Sequence, residues 1–111
     1  MKVEDFKDDL ISALKHAFPD ANIALIEKRG VILEARVQIS DTIFIEVYFS
    51  SVTSKKSFAL IKNNQRIFGY DNYQYWHIHP INDPTTHAKC EEPSVEKVFE
   101  EMRKIIAATN F

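Results

Sequence analysis

Apolar residues change their period after Pro19, and that change limits the fold more than any single motif does. Between Phe6 and Phe18 the residues Phe6, Leu10, Ile11, Leu14, Ala17 and Phe18 recur at steps of three and four, the spacing of one helix face. Pro19 closes this helix, and Glu4 and Asp5 sit where first-turn acids complement the helix dipole. Beyond it the step becomes two. Val31, Leu33, Ala35, Val37 and Ile39 alternate with polar or charged neighbours after Ile32, and Ile43, Ile45, Val47 and Phe49 do the same. That is the pattern of strands with one buried face.

Residues 22–28 and 31–39 form a predicted hairpin around Arg29-Gly30. The loop Ser40-Asp41-Thr42 then pairs residue 39 with 43 and 37 with 45. This register sends both apolar sets to one side and sets Arg36 opposite Glu46 on the other. Residues 57–62 and 65–70 form a further hairpin about Asn63-Asn64, which tolerate the positive φ of a type I′ turn. A two-residue turn places Leu60 opposite Ile67, and Phe58 opposite Gly69, where a missing side chain leaves room for the ring. Ala59, Ile61 and Phe68 then line the reverse face. Pro93-Ser94 opens a last helix with the stripe Val95, Val98, Phe99, Met102, Ile105 and Ile106, and with Arg103 and Lys104 near its end. The expected fold is α+β: an N-terminal helix, an antiparallel meander of about five strands, a long His/aromatic loop, and a C-terminal helix packed on the sheet.

A chain of 111 residues has room for one domain, 1–111. No stretch approaches the ~20 uninterrupted apolar residues of a membrane span, so no membrane partner is expected. With Glu4, Asp5, Asp8 and Asp9 and no apolar run at the start, no secretory signal is expected. A single cysteine gives no sign of an oxidising compartment, so the expectation is a cytoplasmic protein. The net charge of −2 gives no global reason for a polyanionic partner, and two glycines leave no glycine-rich phosphate loop.

The segment Asp71–Glu92 fits neither period. At 22 residues it exceeds the ~12–15 at which a structureless loop in a compact domain becomes unusual. Tyr70, Tyr73, Tyr75 and Trp76 crowd its start; His77, His79, His87 and Cys90 follow. Two chemistries suit these residue types. In the first, the histidines are metal-free acid–base catalysts of RNA cleavage, since an imidazole titrates near neutral pH. His79 is then the general base and His77 or His87 the acid. Asp71 orients an imidazole, and Arg66 stabilises the phosphorane charge. Tyr70, Tyr75 and Trp76 contact nucleotide. Lys55, Lys56 and Lys62 join Arg66 in a basic patch, because Val47 through Tyr70 contains no Asp or Glu.

In the second, His77, His79, His87 and Cys90 hold Zn²⁺, with Asp83, Glu91 and Glu92 supporting the imidazoles. The spacing H-x-H-x7-H-x2-C matches no standard zinc module. The plain structural alternative stands beside both. Here the aromatics are a lid, Cys90 is a small buried hydrophobe, His16 is a surface residue, and the lysines shield a strand edge.

The strand end Arg66-Ile-Phe-Gly-Tyr70-Asp71-Asn72, the following Trp76-His77-Ile-His79-Pro80, His87, and the helix start Glu91-Glu92-Pro93-Ser94 resemble the TumE family of toxins from prokaryotic toxin–antitoxin operons. The resemblance spans roughly residues 42–106. It implies a helix-turn-helix antitoxin as partner and growth arrest on free expression. An RNA target follows only by analogy with other small toxins of such operons. The net charge departs from the basic surface of many ribosome-dependent ribonucleases, which argues against ribosome docking more than against cleavage. The other readings are a non-catalytic interaction module stapled by zinc, and a homodimer joined through the aromatic surface.

Overall fold

A computed structural model describes residues 1–81, 83 and 85–108. Helix α1 runs Val3–Ala17 and strand β1 Asn22–Lys28, followed by β2 Ile32–Gln38 and β3 Ile43–Ser50. Next come β4 Lys56–Lys62 and β5 Gln65–Asp71, then β6 His77–His79 and β7 Ala88–Lys89. Helix α2 covers Val95–Ala108. Each strand pairs antiparallel with the next, so the described strands form one open sheet in the order β1 to β7. The architecture is the expected α+β meander. Strands β6 and β7 lie inside the segment expected to be a loop, and they raise the strand number from about five to seven.

Both helices cover one face. Phe6, Leu10 and Leu14 of α1 and Val98, Phe99 and Met102 of α2 are buried with Leu33, Val37, Ile45, Phe49, Phe58 and Leu60 of the sheet. Phe6 stacks on Phe49 at 4.6 Å between ring centroids, and Phe58 meets Phe99 edge-on at 5.9 Å. The Ser94 hydroxyl accepts the Lys97 N–H at 3.1 Å, the N-cap that its sequence position implies. The β2–β3 register agrees with expectation: Val37 pairs with Ile45 and Arg36 with Glu46. The Arg36 guanidinium also lies 3.7 Å over the Phe44 ring.

The β4–β5 register differs from expectation. Asn63 and Asn64 both have positive φ, as the turn requires. Beyond that turn, however, Ile61 pairs with Arg66 and Leu60 with Phe68, leaving Ile67 as the extra residue of a bulge. Phe58 therefore faces Tyr70, and Gly69 faces Ala59. A one-residue slip exchanges the faces of everything beyond it. Phe68 and Tyr70 turn into the core, while Gly69 and Asp71 turn to the side that no helix covers. Gly69 is needed there, because a Cβ would lie 2.6 Å from the carbonyl oxygen of Phe58.

Candidate active site on the helix-free face

The bulge puts Asp71 in line with β6. Asp71 pairs with His77, Tyr70 with Ile78 and Gly69 with His79. Alternation then places Asp71, His77 and His79 together on the helix-free face. Five residues, Asn72–Trp76, make the connection, with Gln74 in the left-handed region at φ 66°. Asn72 fixes its start: its side-chain oxygen accepts the Lys56 N–H at 2.8 Å, and its amide donates to the Ser54 carbonyl at 2.8 Å.

Asp71 is the hub. Its Oδ2 accepts from His79 Nε2 at 3.0 Å, and its Oδ1 accepts the Tyr73 N–H at 3.1 Å. His77 Nε2 also lies 2.9 Å from Oδ1. That approach lacks the alignment of a hydrogen bond, so Nε2 is buried without a hydrogen-bond partner. Burial works to raise the Asp71 pKa. The Tyr73 N–H, the His79 hydrogen bond and the charges of His77 and His79 outweigh it and hold the carboxyl below its usual range.

His87 completes the group from the position just before β7. Its ring centroid lies 4.8 Å from that of His77 and 4.4 Å from that of His79, and those two are 4.9 Å apart. One nitrogen from each ring lies within 4.8 Å of the others. His77 and His79 are buried, at 4% and 1% exposure, whereas His87 is open to solvent. Lost hydration comes first among the causes that lower the His87 pKa, followed by repulsion from His79 and His77. Asp71 opposes them and Arg66 adds to them. Arg66 lies on β5, on the strand that carries Asp71. Its Cδ packs 3.6 Å from where a Gly69 Cβ would stand, so the absent side chain gives the arginine its place.

The family described as Toxin TumE matches residues 7–110. This chain belongs to the TumE family. The match takes in most of α1 and the first hairpin as well as the segment that carried the resemblance. No curated protein and no solved structure matches the chain. Membership of a toxin family implies an antitoxin partner, and no described helix is long and apolar enough to cross a membrane.

Within this TumE fold the remaining candidates divide between the two faces. Tyr75 stays with the cluster, 5.5 Å from the His77 ring, and the Lys89 ammonium lies 5.8 Å from the Tyr75 ring. Tyr70 and Trp76 do not join them. Tyr70 is buried and donates its hydroxyl to Glu101 Oε1 at 2.6 Å, while Trp76 packs against the helix-side core. Burial first, then the Glu101 hydrogen bond and charge, and then Cys90 push the Tyr70 pKa well above its ordinary value. Cys90 is also on the helix side. Its N–H bonds the Trp76 carbonyl at 3.0 Å, and its thiol pKa is raised by burial and by Glu101, against Lys97. The structure thus brings three of the four expected zinc ligands together and leaves Cys90 across the sheet.

The lysines are dispersed. Lys56 pairs with Glu92 at 3.1 Å and lies over the core rings of Phe6 and Phe49, so it faces the helices. Lys62 shares its register position with the core residue Ile43. Of these three, Lys55 reaches the helix-free side, 5.5 Å from the Tyr48 ring. Asp83 is occupied by the Thr85 and Thr86 hydroxyls at 2.7 and 2.6 Å. Its expected place beside the imidazoles belongs to Asp71. Sequence reasoning missed Gly69 as the floor of the site. A glycine inside a strand was the available signal, since it marks bulges and close approaches. Further along the same face, Ala24, Ile26, Glu34, Arg36, Tyr48 and Ser57 line a shallow groove of about 500 Å³. Of its lining residues, Ser57 pairs with Asp71.

Proposed function

We propose that this TumE protein arrests growth by cutting RNA with its imidazole cluster, without a metal in the reaction, and that a helix-turn-helix antitoxin restrains it. One observation carries the reading: a solvent-open imidazole, His87, packed on two buried imidazoles that share a carboxylate. His79 is too buried to touch substrate, so the contact with RNA falls to His87. His87 takes the proton of a ribose 2′-hydroxyl, and that oxygen attacks the adjacent phosphorus. The P–O5′ bond breaks, and the imidazolium so formed returns the proton to the leaving 5′-oxygen. The products are a 2′,3′-cyclic phosphate and a 5′-hydroxyl. Arg66 neutralises the phosphorane, while Asp71 and the buried pair hold His87 in place. Tyr75 and Lys89 flank the approach, one offering a ring for a base and the other a charge for a phosphate.

The test is induction of the wild-type chain, His87→Ala and Arg66→Ala without antitoxin, followed by RNA incubation with each purified protein in excess EDTA. Growth arrest and cyclic-phosphate ends from the wild type, both lost in His87→Ala, are the expected results. Intact RNA in the wild-type lane, or equal cleavage by His87→Ala, overturns the assignment.

A further inference from the structure

His77 holds a conflict that hydrogen bonding within the chain does not resolve. Its Nδ1 lies 3.1 Å from the Tyr75 carbonyl oxygen, which can only accept, so Nδ1 carries the proton. In the neutral ring Nε2 then presents a lone pair. That lone pair is buried, without a hydrogen-bond partner, 2.9 Å from Asp71 Oδ1. Two acceptors at this separation repel in a site shielded from water. A positive charge at Nε2 removes the repulsion. A proton could supply it, yet that leaves two more imidazoles crowded within 4.9 Å of an imidazolium. A metal ion at Nε2 removes it too, and one nitrogen of each neighbouring ring lies within 4.8 Å.

We propose that His77, His79 and His87 form a three-imidazole site for a divalent transition metal of the zinc class. The donor set is right: neutral imidazoles suit zinc, and three of them leave a fourth position for solvent. The surroundings fit as well. Asp71 binds His79 Nε2 at 3.0 Å, the carboxylate–histidine pairing that orients metal-bound imidazoles. The donor nitrogens lie within 4.8 Å of one another, against about 3.4 Å between nitrogens around tetrahedral zinc. His87, exposed where the other two rings are buried, is the ring placed to move inward. The fourth position opens on the face that no helix covers. Cys90 lies on the other side of the sheet and is no ligand.

This proposal goes beyond RNA cleavage and rests on ligand geometry alone. It has one consequence for that reading. A bound ion holds the lone pair that His87 needs as a base, so the metal-loaded chain is the idle form and the stripped chain is the one that cleaves.

The experiment titrates Zn²⁺ into the full chain, stripped with chelator and dialysed, in competition with a chromogenic chelator, and follows thermal unfolding in parallel. One equivalent bound, a raised Tm, and the same behaviour in Cys90→Ser are expected. His87→Ala, an exposed substitution that leaves the core intact, should weaken binding more than about tenfold. Absence of saturable binding at one equivalent, unchanged affinity in His87→Ala, or loss of binding in Cys90→Ser overturns the proposal. No RNA enters this assay, so its outcome is separate from that of the cleavage test.

Discussion

Tyr70 and Asp71 are neighbours in sequence and lie in opposite worlds. Tyr70 points to the helices, where burial and Glu101 keep its hydroxyl protonated. Asp71 points to the uncovered face, where imidazoles and a backbone N–H keep it ionised. One strand thus supplies a core residue and the hub of a polar cluster in consecutive positions. The two faces differ in what a substitution should cost. The helix-covered face holds the fold together through contact area, so truncation there should unfold the chain. The helix-free face carries the polar cluster of Asp71, His77, His79 and His87, so truncation of its exposed member, His87, should spare the fold and remove function.

Phe49→Ala attacks the first face and has the largest expected effect on stability. Phe49 is fully buried and stacked on Phe6, so the truncation removes apolar contact and leaves a cavity. A loss of about 3–5 kcal/mol is expected in urea unfolding. A loss under about 1 kcal/mol would show that the helices are not packed on the sheet as described.

Gly69→Ala strikes the boundary between the faces. The added Cβ meets the Phe58 carbonyl oxygen at 2.6 Å, a backbone atom that cannot swing away. A cost of about 1–3 kcal/mol is expected. Because β5 must shift to relieve the clash, Asp71 should move with it, visible as a change in the His77 and His79 imidazole NMR shifts. Unchanged shifts would separate the bulge from the site.

The bulge also marks where sequence reasoning stopped. Helix α1, the first three strands and α2 are legible because long apolar stripes at fixed periods have one low-energy reading. The β4–β5 hairpin has two. Phe58 and Leu60 alternate on β4, but Ile67, Phe68 and Tyr70 allow either register on β5, and burial of Phe68 with Tyr70 decides for the bulged one. With the unbulged register Asp71 would face the helices. Strands β6 and β7 are three and two residues long, too short for alternation to show. The histidines were conspicuous by type and spacing, but which aromatics stood beside them was not. Tyr70 and Trp76 are large apolar bodies first, and the core took them.

Tyr70→Phe tests the helix side more gently. It removes one hydrogen bond and leaves Glu101 without its donor, at a cost of about 0.5–1.5 kcal/mol. Its pH dependence has a definite sign. The folded-state pKa of Tyr70 is raised above that of the unfolded chain, so its contribution is complete below pH ~10 and declines as pH rises beyond it. Wild-type and Tyr70→Phe unfolding curves should therefore converge on the alkaline side. Convergence on the acid side instead would remove Tyr70 as the cause.

His87→Ala carries the smallest cost to the fold and the largest to the proposed activity. The ring is exposed, it donates no hydrogen bond to the core, and the buried pair below keeps its link to Asp71. A surface change of this kind lies within about ±0.5 kcal/mol. The folded-state pKa of His87 is lowered, by lost hydration first and then by His79 and His77, so any gain in Tm of the metal-free variant should appear below pH ~6.5 and vanish above it. Against that near-silent background, loss of growth arrest can be ascribed to chemistry and not to unfolding. Tm and growth measured on the same variant give the sharpest contrast between the faces. A protein that unfolds on losing His87 would show that the uncovered face is as structural as the covered one.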